Sequence, residues 1–335
     1  MVFLLQQTIN YAVPLLIVAL AGVFAERSGV INLALEGIMI FGAFAGALFI
    51  RIMQSNGLFD KSQGQLLLLL TMLVCAIMGA VFSLLLSFSA INLKADQTIG
   101  GTALNLLAPA LVLFLINVLT QQSKLVIDGG ATTWFMIKKS TFGIDKNTDI
   151  GFLGELLINK VYLSTYVCIL LFIVLSIILY KTKFGLRLRA CGENPQAADS
   201  LGINVYKMRY AGTTISGALA GIGGFVYALA AADGAATGEV AGFGFLALAV
   251  MIFGNWTPGN IAVSALLFGL FKCIAAAYSS IDLNGDGVYM LAEIGVSSYV
   301  YRLLPYLITL IVLAFTSKRS RVPKAEGIPY DKGAR

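Results

Sequence analysis

Ionisable and amide side chains are scarce in this sequence, and their positions decide what chemistry the chain can do. Among 335 residues there is no histidine, which removes the commonest general base, metal ligand and proton relay. No G-x-x-x-x-G-K-[ST] string occurs, so no Walker-type loop cradles nucleotide phosphates, and any ATP that drives the protein binds another chain. Cys75, Cys168, Cys191 and Cys273 are scattered without CxxC or metal-like spacing and read as inert thiols. Neither catalytic residues nor a cofactor are expected.

What remains is suited to binding. Glu36 is a carboxylate inside an apolar stretch, four residues beyond Asn32, so the two project from one helix face. Buried polar groups of this kind are costly in hydrocarbon unless they meet a partner or a wet cavity. Asn105, in a later apolar stretch, and Asn255 with Trp256, just before Pro258, add amides and an aromatic face. The five are the candidate pathway residues. The plainer alternatives are an interhelical hydrogen bond for Glu36 and an interface anchor for Trp256.

One metal pattern needs weighing. Asp282, Asn284, Asp286, Gly287 and Glu293 fit D-x-[DN]-x-[DN]-G-x5-E, the calcium loop of an EF-hand. Such a loop requires flanking helices that pair in water, whereas these flanks run into apolar segments. The segment is a weak calcium candidate, and a polar turn rich in Asp and Gly is the preferred reading.

The elements that position these residues are membrane helices. Hydrophobic residues make up 58% of the chain and charged ones 12%, too apolar for a domain clothed in water. Nine apolar runs, near 8–25, 30–50, 66–91, 99–119, 161–180, 210–231, 240–256, 261–277 and 300–315, are each read as long enough to cross roughly 30 Å of hydrocarbon. The prediction is an all-α polytopic bundle of about nine helices, between eight and ten, forming one domain over 1–335. The first run lacks a basic leader and a cleavage site, so it is read as structure rather than a removable signal. Six Lys and Arg lie in 181–209 and six more in 318–335, which places both the 181–209 loop and the 317–335 tail on the cytoplasmic side and the N-terminus outside. The five lysines of the outer stretch 121–160 run against that rule. The positive charge reflects membrane orientation and not nucleic acid. Gly217–Gly224, like Gly42 and Gly46, has small-residue spacing suited to close helix packing.

The 181–209 loop is polar but ordered in design. Asn194 is a good N-cap, Pro195 suits the first helical position, and Gly202 can close the helix in a left-handed conformation. A two-turn helix over 195–201 is predicted, a rigid handle through which a separate motor protein can push. Gly192, Glu193, Asn194, Pro195, Ala198, Asp199 and Gly202 are its candidate coupling residues.

The segment from Phe184 to Asn204, F-G-L-R-L-R-A-C-G-E-N-P-Q-A-A-D-S-L-G-I-N, resembles the coupling loop of permease subunits in ATP-binding-cassette importers for nucleosides and simple sugars. Glu26 to Gly37, E-R-S-G-V-I-N-L-A-L-E-G, is similar to that family's N-terminal signature. So are A-D-Q-T-I-G-G-T-A-L-N-L-L near Lys94 to Leu107, F-G-N-W-T-P-G at Phe253 to Gly259, and the tail around Pro329, Tyr330 and Lys332. The resemblance implies a type II importer-like fold in a bacterial inner membrane. It also implies a separate ATPase, a second permease that is a paralogue or another copy, and an extracytoplasmic binding protein or lipoprotein. It points to a nucleoside, whose base would stack on Trp256 while its edges seek amides. A simple sugar or branched-chain amino acid is the alternative within the family. An ion-coupled secondary transporter is the alternative outside it, and it usually needs more intramembrane carboxylates than Glu36.

Overall fold

The structure is a computed structural model that describes residues 2–127, 131–145, 148, 150–278, 297–316 and 321–333. The Asp282–Glu293 calcium candidate lies outside the described residues. Hydrocarbon offers no partner for backbone N–H and C=O groups, so the apolar runs become helices that satisfy their own. The described helices are α1 (Val2–Arg27), α2 (Leu35–Ser55), α3 (Gly64–Ser87), α4 (Gln97–Thr120), α5 (Gly151–Ile158) and α6 (Leu163–Lys181). They continue with α7 (Lys183–Glu193), α8 (Pro195–Ser200), α9 (Val205–Ala231), α10 (Phe243–Phe253), α11 (Pro258–Ala277) and α12 (Ser298–Thr316). Seven of them, α1, α2, α4, α6, α9, α11 and α3 with its flanking turns, are long and apolar enough to cross a membrane. With α10 and α12 they occupy the nine predicted runs, and the chain is a multi-pass membrane protein.

α1, α2 and α9 form the centre. Leu15, Ile17, Leu20, Phe24, Leu35, Met39 and Phe225 on these helices are fully buried. The glycines of α9 permit the approach: a Cβ on Gly221 would sit 2.3 Å from the Cys75 carbonyl oxygen of α3, and one on Gly224 would sit 1.9 Å from that of Met39. α4 lies at the periphery, with Leu106 and Phe114 exposed, as a lipid-facing surface should be.

Two departures from the predicted runs shape the site. The run near 30–50 is helical only from Leu35, and the buried stretch 28–34 before it is irregular, with Gly29 at φ 94°. The run near 240–256 contains an 11-residue helix, α10, about 16 Å long and roughly half a membrane crossing. It is preceded by turns in which Asp233, Gly234, Gly238, Ala241 and Gly242 all take positive φ.

The two ends of the bundle differ. At one, here the basic end, α7 and α8 lie across the helix termini. Thr182 caps α7 by accepting from Gly185 N at 3.3 Å, Asn194 caps α8 by accepting from Ala197 N at 3.0 Å, and Asn204 caps α9 by accepting from Lys207 N at 2.9 Å. The predicted 195–201 helix is thus α8, closed by Gly202 at φ 80°. α7, also part of this unit, was not expected. At the other end, two short antiparallel pairings tie the connections together. β1 (Leu125–Val126) pairs with β4 (Ala235–Ala236), and β2 (Met136–Ile137) pairs with β3 (Val161–Tyr162); this is the hairpin end.

Candidate functional site

The irregular stretch 28–34 leaves backbone groups that no helix satisfies, and side chains from distant helices supply partners. Ile31 N donates to Gln97 Oε1 at 2.7 Å, and Ala34 N donates to Asn32 Oδ1 at 3.1 Å. Asn105 does two jobs at once: its Nδ2 donates to the Leu33 carbonyl at 2.7 Å and its Oδ1 accepts from Gly37 N at 2.8 Å. The remaining end of Asn32 donates through Nδ2 to Ser216 Oγ of α9 at 2.8 Å. Both amides are therefore engaged in holding the start of α2 against α4 and α9.

Glu36, in the first turn of α2, reaches across to the start of α10. Its Oε1 accepts from Gly242 N at 2.9 Å and its Oε2 from Gly244 N at 2.6 Å. The N-termini of α2 and α10 meet here, and one carboxylate complements the positive dipole ends of both. Asn32, Glu36 and Asn105 therefore belong to one assembly around two broken membrane segments.

Asn255 and Trp256 lie elsewhere, at the far end of α10. Asn255 Oδ1 accepts from Arg321 N at 2.7 Å. The Trp256 indole N–H donates to Glu26 of α1, and its carbonyl accepts from the Tyr180 hydroxyl. α10 is thus strung between two carboxylates, Glu36 at its start and Glu26 at its end.

Around Glu26 the basic end is tightly cross-connected. Arg27 pairs with Glu193 of α7 at 3.4 Å, and the Gly192 backbone is so close that a Cβ there would sit 2.4 Å from the Arg27 carbonyl oxygen. The tail folds back over this junction. Ala325 N donates to the Gly192 carbonyl at 2.8 Å, and Arg209, 1% exposed, donates to the Ile328 carbonyl at 2.9 Å. Tyr330 packs edge-on to Tyr206 beside the buried Cys191 and Ala198. Burial pushes the Glu326 carboxyl up to about 7, with Arg27 pulling the other way. Burial likewise pushes the Cys191 thiol up to about 11, partly offset by Arg209, which keeps it unreactive near neutrality. Of the coupling candidates, Pro195 and Ala198 are buried against the bundle, whereas Glu193 and Asn194 are exposed; Leu201, at the tip, is 81% exposed.

Lys272 escaped the sequence reading, although an ionisable residue inside the predicted run 261–277 was signal enough. Its Nζ lies 4.9 Å from the Phe243 ring centre, 5.5 Å from that of Tyr306, and donates to the Ala241 carbonyl at 3.2 Å. Among the described residues no group of three or more Cys, Asp or Glu could hold a metal ion.

Residues 4–313 match the family described as branched-chain amino acid transport system / permease component. The chain is 40% identical to the nucleoside ABC transporter permease protein NupC of Lactococcus lactis subsp. cremoris, over 96% of this chain and 94% of that one. It is also 40% identical to the guanosine ABC transporter permease protein NupQ of Bacillus subtilis, over 98% and 96%. A second guanosine permease protein of B. subtilis, NupP, is 26% identical over 81% of this chain and 73% of that one. No solved structure matches the chain.

Proposed function

Because the chain belongs to the branched-chain amino acid transport system / permease component family, we propose that it is the membrane-spanning permease subunit of an ATP-binding-cassette importer for nucleosides. The two relatives at 40% identity are named for nucleoside and guanosine transport, which supports that substrate. The chain performs no bond chemistry: it has no G-x-x-x-x-G-K-[ST] motif, so a separate ATPase supplies the energy. A paralogous permease completes the pathway, in keeping with the co-occurrence of NupQ and NupP in one organism. A binding protein delivers solute. The basic end is cytoplasmic and the hairpin end outside, following the twelve Lys and Arg of 181–209 and 318–335.

The observation that carries this reading is the way α8 is connected. It stands at the basic end as a capped, rigid helix, and the unit containing it is joined through Glu193 and Gly192 to the last turn of α1. A push by the ATPase on Asn194, Asp199 and Gly202, seated on the buried Pro195 and Ala198, is delivered to α1 at Arg27. From there it passes by Glu26 and Trp256 into α10, and by the 28–34 stretch into α2. α10 and α2 meet again at Glu36, so one input moves both broken segments together. Asn32, Glu36 and Asn105 act in the pathway by setting where these helix starts stand, and Asn255 and Trp256 by tethering α10 to the coupling unit.

Uptake by sealed vesicles carrying the whole importer tests the reading. Ionophores that collapse ion gradients should leave nucleoside uptake intact, and removal of ATP should stop it. The reverse would establish an ion-coupled carrier. Thermal stabilisation of the binding protein by guanosine, but not by ribose or leucine, checks the substrate.

A further inference from the structure

At the hairpin end, the first turns of α1, the end of α9 and the 155–162 segment enclose a cavity of about 500 Å³, within the range of small-molecule sites. The lining brings Gln6, Gln7, Asn10, Asn159, Lys160 and Asp233 together with Tyr162. We propose that this cup is the entry site of the permease, where an uncharged solute of nucleoside size is first bound on its way from the binding protein into the membrane. The proposal deepens the reading given above and rests on it.

The cup is built rather than incidental. Gln6 Nε2 donates to the carbonyls of Glu155 at 2.9 Å and Asn159 at 2.7 Å, and Asn159 Nδ2 donates to Glu155 Oε2 at 2.8 Å. These bonds pin the rim to α1 across about 150 residues of sequence. Lys160 and Asp233, which bring a cation and a carboxylate to the lining, both sit in the left-handed region, at φ 57° and 49°. Non-glycine residues seldom adopt that region without a local reason.

Charge and shape define the ligand. Glu155 also lines the cup but is ion-paired with Lys139, so the lining holds one further cation, Lys160, and one further carboxylate, Asp233. That balance suits a neutral molecule with hydroxyl and amide edges, whereas a phosphorylated one would bring negative charge beside Asp233 that the lining does not compensate in full. Gln7 and Asn10, linked by a long bond from Asn10 Nδ2 to Gln7 Oε1 at 3.5 Å, bring amides to the lining and Tyr162 adds an aromatic side chain, the pairing that a base joined to a sugar requires.

Below the cup, a run of aromatic contacts leads toward the site already described. One turn deeper on α1, on the face of Gln7, stands Tyr11; one turn deeper on α9, on the face of Ala230, stands Tyr227. Their rings lie 6.3 Å and 4.6 Å from that of Phe243, the first residue of α10. The start of α10, whose backbone Glu36 holds, therefore packs against side chains one turn below the lining of the cup.

The test uses right-side-out vesicles carrying the whole importer, with guanosine, ribose and leucine as probes. The protein's own four cysteines are buried, so Gln7→Cys introduces a singly addressable thiol. Saturating guanosine should slow its labelling by a charged, membrane-impermeant maleimide about fivefold, and Asn10→Leu should lower guanosine flux about tenfold at saturating binding protein. Normal guanosine uptake with no protection and no flux loss in Asn10→Leu overturns the entry site while leaving the transport reading standing. If ribose or leucine is transported and protects while guanosine does neither, the site stands and the nucleoside assignment falls. If no probe is transported and none protects, both fall.

Discussion

The two ends of this molecule use polar side chains in different proportions, interlocked at one and lining a cavity at the other. At the basic end they are spent on one another: Glu26 on Trp256, Arg27 on Glu193, Asn255 on the tail backbone and Arg209 on the Ile328 carbonyl. At the hairpin end Gln7, Asn10, Lys160 and Asp233 line open volume, with Asn10 Nδ2 also donating to Gln7 Oε1 at a long 3.5 Å. A region proposed to transmit force gains from interlocked groups, although Arg27 Nε, Arg209 Nε and Nη2 and Glu326 Oε2 are buried there without a hydrogen-bond partner. A region that receives solute must keep donors and acceptors available to it. α10 and α2, clamped at Glu36, are the parts common to both.

The contrast can be broken most severely at α8. Ala198→Pro removes the Ala198 N–H that donates to the Asn194 carbonyl at 3.0 Å, inside a helix only six residues long. Uptake should fall by about tenfold or more, while ATP hydrolysis and membrane insertion continue. Normal uptake would remove α8 from the coupling path.

A smaller effect is expected in the network itself. Glu26→Leu leaves the buried Trp256 indole N–H without its acceptor and should cost about 1–3 kcal/mol, read as a lower Tm in detergent. Asn10→Leu in the cup should change stability by no more than about 0.5 kcal/mol. Equal losses would mean that the two ends are not built differently.

Smaller again is a pH effect at the tail. Glu326 titrates near 7 in the fold because burial disfavours its charge, against 4.5 when free, and Glu26 and Arg27 are the charged groups facing it. A carboxyl whose folded value is raised contributes a stability that is complete below 4.5 and is lost as pH climbs toward 7. The tail should therefore detach more readily at pH 8 than at pH 6, measured as proteolysis after Arg321 or Lys324. Glu326→Gln should flatten the difference.

The smallest expected effect is at the Lys94–Asp331 pair, 2.8 Å apart and exposed on both sides. Lys94→Ala should leave uptake and Tm unchanged. A clear loss would show that the tail is held from its exposed edge as well as by its buried residues Ala325 and Tyr330.

Much of this architecture was legible without coordinates. The helix content followed from apolar runs, since lipid leaves the backbone few alternatives. α8 followed from Asn194, Pro195 and Gly202, because capping is a local matter of a few consecutive residues. Gly221 and Gly224 announced close packing through their spacing, though not which helices they would meet. Hydropathy could not reveal that 28–34 and 237–242 are non-helical, because it measures how readily a segment leaves water and not how its backbone is satisfied. Asn105, 68 residues from Gly37, supplies that satisfaction from another helix.

By itself, then, the sequence determined a polytopic helical permease without a G-x-x-x-x-G-K-[ST] motif, carrying a short capped helix on a basic loop. The tertiary structure decided the rest: that Asn255 and Trp256 sit at the basic end with Glu26 and the tail, that Glu36 joins two broken segments, and that a cup forms at the hairpin end. The reason is range. Helix formation and capping depend on neighbours within a turn or two, whereas the clamp and the cup depend on groups roughly 150 to 210 positions apart that meet only when α1, α2, α9 and α10 pack.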